Sequence, residues 1–124
     1  MDLMQVRRRM MSQATEKDYL KGIEWVERKY ISQSGTIADG NALKYTESIH
    51  LNEGVYIFAG TMKSQGAVYT RIHAYDAEDK WIRQLIRLDI PTNSRFSEEI
   101  TVPSNVYAIR ISTGITVEAT LTKA

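Results

Sequence analysis

From Gly22 onward the chain is a series of short segments rich in Val, Ile, Tyr and Thr, each bounded by turn-forming residues. β-Branched and aromatic side chains fit a pleated, half-buried surface, so such segments read as strands. The segments expected to be strands are 25–32, 45–50, 55–61, 68–75, 81–88, 97–102, 108–112 and 116–122. Turn signals separate them: Asp39-Gly40-Asn41, Asn52-Glu53-Gly54, Ser64-Gln65-Gly66, Asp76-Ala77-Glu78-Asp79, Pro91-Thr92-Asn93 and Gly114. Strand side chains alternate between faces. Ile115, Val117, Ala119 and Leu121 therefore share one face of the last segment, with Thr116, Glu118, Thr120 and Thr122 on the other. In segment 68–75, Ile72 and Ala74 oppose Arg71 and His73.

About eight strands at a spacing of roughly 8–12 residues suit an antiparallel sandwich, and eight strands in two Greek keys is the jelly-roll count. One stretch also fits a helix. Trp81, Ile82, Leu85, Ile86 and Leu88 are spaced as on a helical face, and the segment is assigned as strand because it lies within a strand series. Trp25, Tyr56, Phe58 and Trp81 are expected in the core.

Before Gly22 the pattern changes. Residues up to Leu20 include many good helix formers and no Pro or Gly, and Leu3, Val6 and Met10 fall on one helical stripe that resumes at Leu20. The expected organisation is an N-terminal α-helical arm over 1–21 and a β-sandwich over 22–124. A helix this short is marginal alone in water. Leu3, Val6, Met10 and Leu20 are therefore its expected oligomerisation or docking residues.

Composition excludes several classes of function. A formal net charge of +1 removes the sequence-wide electrostatic argument for nucleic acid. Arg7-Arg8-Arg9 spreads around a helix rather than forming one patch. With 0 Cys there is no disulfide, thiol nucleophile or zinc-finger spacing. No apolar run is long enough to span a bilayer, and no h-region follows the arginines, so no membrane insertion and no signal peptide are expected. No nucleophile elbow, phosphate loop or dinucleotide fingerprint occurs, and the scattered acids define no carboxylate pair for glycoside hydrolysis. The expectation is a non-enzymatic protein without a cofactor. His50 and His73 read as strand histidines rather than metal ligands. The acidic turn Asp76-Ala77-Glu78-Asp79 reads as a capped, solvated turn, with a structural calcium as the competing reading.

Aromatic residues offer the better clue, because sugar rings stack their apolar C–H faces on exposed tyrosines while polar neighbours bind hydroxyls. Tyr69, Arg71, Tyr75 and Tyr107 are the candidate carbohydrate-binding residues.

The order and spacing of several fragments resemble small jelly-roll modules of phage tail and baseplate proteins and of carbohydrate-binding regions in bacterial surface proteins. The fragments are Tyr45-Thr46-Glu47-Ser48-Ile49, Glu53-Gly54, Tyr56-Ile57-Phe58, Tyr75-Asp76, Trp81, Val102-Pro103-Ser104 and Ile109-Arg110-Ile111-Ser112. The sequence departs from that pattern at Thr46-Glu47, where Ser-Asp is common, and in the charged segment with Arg83 and Arg87. The opening from Met1 to Met11 also resembles the start of small prophage structural proteins. The resemblance implies a virion component made in a host cytoplasm, a tail, fibre or receptor-binding module forming a homo-oligomer, with a trimer by analogy. Its implied partners are other virion proteins and a host-surface glycan. Two alternatives stay open: a capsid decoration or head-fibre protein without glycan binding, and a carbohydrate-binding module of a bacterial polysaccharide-utilisation system.

Overall fold

A computed structural model of the protein describes residues 17–63 and 68–124. Those residues form nine strands: β1 (Trp25–Ile31), β2 (Ile37–Thr46), β3 (Ile49–His50), β4 (Gly54–Met62), β5 (Val68–Tyr75), β6 (Trp81–Ile90), β7 (Ser94–Val102), β8 (Ala108–Gly114) and β9 (Val117–Lys123). The larger sheet runs β1-β2-β8-β5-β6, with β3 also on β8, and the smaller runs β7-β4-β9. Every pairing is antiparallel. β2 and β3 are two halves of one line along β8, since Tyr45 pairs with Ser112 and Ile49 with Ile109. At the interruption the Thr46 hydroxyl oxygen accepts from the Ile111 amide at 2.9 Å, replacing the missing ladder bond.

The sheets face each other across a core built by alternation. Ile72 and Ala74 of β5 and Ile109 and Ile111 of β8 meet Tyr56 and Phe58 of β4, Ile100 and Val102 of β7 and Leu121 of β9. Each large apolar side chain removed from water contributes about 1.5–3 kcal/mol, so these positions dominate the stability of the fold. The hydroxyls of Thr70 and Thr113 are buried but bond each other at 2.7 Å. Tyr56 and Phe58 occupy the core as expected. Trp25 is half-buried against it. Trp81 does not join the core: it is 38% exposed on the opposite face of the larger sheet.

The helix-like spacing in β6 has a local cause. Ile72 pairs with Ile86 but His73 with Gln84, and Ala74 pairs with Arg83 but Tyr75 with Trp81. Each irregularity leaves one residue of β6 unmatched, first Leu85 and then Ile82. Two bulges thus shift the phase of alternation, and Ile82, Leu85, Ile86 and Leu88 all pack against the core.

β2 begins at Ile37 and runs through Asp39-Gly40-Asn41, which the turn chemistry of those residues does not predict. The turn of the first hairpin instead lies just before it. There the Ser32 amide donates to the Thr36 carbonyl at 2.8 Å and the Gly35 amide to the Ser32 carbonyl at 3.0 Å.

Residues 17–24 are turn and coil, and no helix occurs among the described residues. Leu3, Val6 and Met10, and the helix expected around them, lie outside the described residues. Leu20 packs into the sandwich core at 7% exposure. Asp18 holds this segment against β9, its carboxylate accepting from the Leu20 amide at 2.9 Å and the Leu121 amide at 3.0 Å.

Candidate functional site: a cleft under the first hairpin

Tyr69, Arg71, His73 and Tyr75 alternate with the core residues of β5 and so face outward. The register sets Ser112 and Arg110 of β8 beside Arg71 and His73 on one side. On the other side it sets Arg87 and Gln84 of β6. This outer face is partly roofed. The β1–β2 pairing steps from Glu27↔Lys44 to Lys29↔Asp39, five residues along β2 against two along β1, and Arg28 adopts φ 65 at the break. The irregularity turns the hairpin across the sheet instead of extending it in plane.

Contacts locate the roof. The Ile31 amide donates to the Ser112 hydroxyl oxygen at 3.0 Å, and Ile31 is fully buried. At the hairpin tip Gly35 sits at φ 84 directly on the Trp81 ring; a Cβ there would stand 2.6 Å from ring carbons. Only glycine combines that backbone with that approach. The Trp81 indole N–H donates in turn to His73 Nδ1 at 3.0 Å. The hairpin therefore spans from β2 across β8 and β5 to β6.

Between roof and sheet lies a cleft of about 430 Å³. Arg71 and Ser112 form its floor, Tyr30, Ala42 and Leu43 the hairpin wall, and Val68 and Tyr69 the opposite wall. Tyr69 is 54% exposed. The Arg87 guanidinium lies 4.1 Å from the Tyr69 ring centroid and that of Arg71 5.7 Å.

The buried side-chain nitrogen and oxygen atoms without a hydrogen-bond partner among the described residues are Arg71 Nε, His73 Nε2 and Gln84 Oε1. They are contiguous: Arg71 and His73 are next neighbours on this face of β5, and Gln84 is directly opposite His73. Buried polar atoms are normally paired, and an unpaired one costs about 1–3 kcal/mol. Burial is also the main reason that the His73 pKa falls to about 4, with the Arg71 charge adding to the fall and the Ile31 backbone opposing it. His73 is therefore neutral near pH 7. Because Nδ1 accepts from Trp81, the proton is assigned to Nε2.

The four residues expected to bind carbohydrate do not form one site. Tyr69 and Arg71 lie in the cleft. Tyr75, six residues along β5 and about 20 Å away at ~3.3 Å per residue, is buried at 7% exposure. The Arg110 guanidinium covers its ring at 5.1 Å. Burial raises the Tyr75 pKa, while Arg110 opposes the rise. Tyr107 is 50% exposed beside Tyr75 and stacks on His50 at 4.3 Å between ring centroids. At this far end several polar groups bond one another or the backbone. His50 Nδ1–H donates to the Tyr107 carbonyl at 2.7 Å. Asp79 receives Ser48 at 2.7 Å and Arg110 at 3.0 Å. Asp76 accepts from the Glu78 and Lys80 amides at 2.9 and 3.0 Å, as a capped turn does. Among the described residues no group of three or more His, Cys, Asp or Glu side chains is placed to hold a metal.

Tyr30, Leu43, Ser112, Arg87 and Gln84 belong to the cleft or its margin and are not among the residues that the sequence marks as candidate binders. Their neighbourhood depends on cross-strand register and on the hairpin turning over the sheet, neither of which leaves a local signal. No family model matches the chain, and no relative is found among curated proteins.

Proposed function

We propose that this protein is a non-enzymatic jelly-roll module of a phage or prophage particle, of the tail, fibre or receptor-binding kind, and that it holds a host-surface glycan in the cleft under the first hairpin. The observation that carries the glycan reading is the pairing of tyrosine walls, Tyr30 and Tyr69, with a polar floor, Arg71 and Ser112, in one concave site. Aromatic faces take the C–H face of a sugar, and a few fixed polar groups orient its hydroxyls. The jelly-roll reading is supported by how the chain crosses repeatedly between two antiparallel sheets, with β4, β7 and β9 in one and the remaining strands in the other.

In this proposal the sandwich presents the cleft while residues 1–16, through Leu3, Val6 and Met10, join copies of the chain or dock to other virion proteins, with a trimer as the working assembly. Leu20 serves the sandwich itself, because its side chain is in the core.

A glycan array of bacterial surface saccharides tests the binding reading. Binding is expected for the full chain and is expected to be lost in Tyr69→Ala but kept in Tyr107→Ala. Loss on Tyr107→Ala alone, or an array with no positive, contradicts it. Deleting residues 1–16 should abolish oligomers and particle association while leaving glycan binding by the monomer. Unchanged assembly after that deletion contradicts the docking role.

A further inference from the structure

We infer that the saccharide taken by the cleft is anionic, carrying a carboxylate or a phosphate that Arg71 receives; this rests on the glycan reading above and specifies its substrate class.

The first ground is the register. Arg71 and Arg87 stand directly opposite each other on β5 and β6. Like charges in that position repel and destabilise a sheet. The local acid is Asp89, which lies 3.4 Å from Arg87 Nε with both side chains well exposed. It partners Arg87, not Arg71. Among the described residues no carboxylate lies within ion-pair distance of Arg71. The floor of the cleft thus holds a guanidinium without a counter-charge, beside a second one.

The second ground is the inventory of hydrogen-bonding groups. Among the described residues Arg71 Nε has no acceptor, and it is itself closed off from the cleft, so a ligand would meet the outer nitrogens of the guanidinium. A guanidinium offers donors only, in a planar fork that matches a carboxylate or phosphate. Ser112, paired with Arg71 across β5 and β8, uses its oxygen to accept from Ile31 and so keeps its hydroxyl hydrogen to donate. The floor therefore presents convergent donors, with Asp89 displaced to the exposed margin. A neutral sugar would leave the Arg71 charge uncompensated when it displaced water from the cleft. An anionic one supplies both the charge and the acceptor.

The test is isothermal titration of the full chain with glucose, glucuronate, glucose 6-phosphate and inorganic phosphate at constant ionic strength. Glucuronate and glucose 6-phosphate are expected to bind at least ten-fold more tightly than glucose, with affinity falling as salt is raised. Arg71→Gln should erase the preference, and Arg87→Gln, at an exposed position that does not threaten folding, should weaken it several-fold. Glucose binding as tightly as its two acidic relatives overturns the inference and leaves the glycan reading intact. Inorganic phosphate matching glucose 6-phosphate, with the same dependence on Arg71, keeps the anion site and overturns the glycan reading. No binding by either acidic sugar overturns the inference.

Discussion

Replacing His73 with Asn probes the covered face directly. The Asn side-chain oxygen stands near the position of Nδ1, so it can still accept from Trp81, but it cannot take a proton. In the native protein the His73 pKa is about 4, against roughly 6.5 when unfolded. The folded pKa is the lower one, so the unfolded chain binds this proton more readily. Stability contributed by neutral His73 is then complete above pH ~6.5, declines as pH falls and levels off below pH ~4. With those two values the native protein loses about 2 kcal/mol between pH 7 and pH 5, and about 3 kcal/mol by pH 4, from this one residue. The loss has a structural site: protonating Nδ1 removes the acceptor for the Trp81 indole and with it the side-chain bond between β5 and β6 that holds the Trp81 ring beneath Gly35. The assay is urea unfolding at pH 7 and pH 5, followed by Trp emission, for native protein and His73→Asn. The native protein is expected to lose about 2 kcal/mol more than the variant over that interval. Equal losses within about 0.5 kcal/mol would refute that expectation.

Other substitutions test separate joints of the fold. Gly60→Ala would drive a Cβ into the Glu118 carbonyl oxygen and to 2.7 Å from Ala119 Cα, both backbone atoms of β9. Chemical denaturation should show a loss of about 1–3 kcal/mol or more. Asp18→Ala removes the acceptor for two backbone amides, Leu20 and Leu121, and is expected to lower stability by about 2 kcal/mol, with faster amide exchange at Leu121. Phe58→Ala opens a cavity between the sheets and should cost about 3–5 kcal/mol by the same measurement.

Alternation made much of the scaffold legible. The inward Ile72 and Ala74 against the outward Arg71 and His73, and the inward stripe of buried Val117 and Leu121 with half-buried Ala119, follow from residue order alone, because a strand has only two faces. What stayed hidden came from departures from regular pairing. Asp39-Gly40-Asn41 has turn chemistry, yet the chain does not reverse there: Asp39 pairs with Lys29, Gly40 and Asn41 fall in the irregularity of the β1–β2 pairing, and the true turn is made by Ser32 and Gly35. The two bulges in β6 imitate helical spacing. Trp81 leaves the core because the hairpin tip offers Gly35 as a partner on the other face. For the candidate site, Tyr69 and Arg71 were legible as an outward pair on one strand. The separation of Tyr75 and Tyr107 from them was not: alternation tells which face a residue takes but not which stretch of that face a second element covers. Leu20 fits a helical stripe, but its destination is decided by the Asp18 clamp onto β9.

Where a bound glycan touches the protein decides whether the cleft under the first hairpin is the binding site. Titrating ¹⁵N-labelled full chain with the strongest saccharide from the array, and mapping the amide resonances that shift, measures this directly. Shifts centred on Leu43, Tyr69, Arg71 and Ser112, and absent from Arg71→Gln at the same ligand concentration, are the predicted result. Shifts centred on Ser48, Asp79 and Tyr107, with the cleft resonances unmoved, would contradict it.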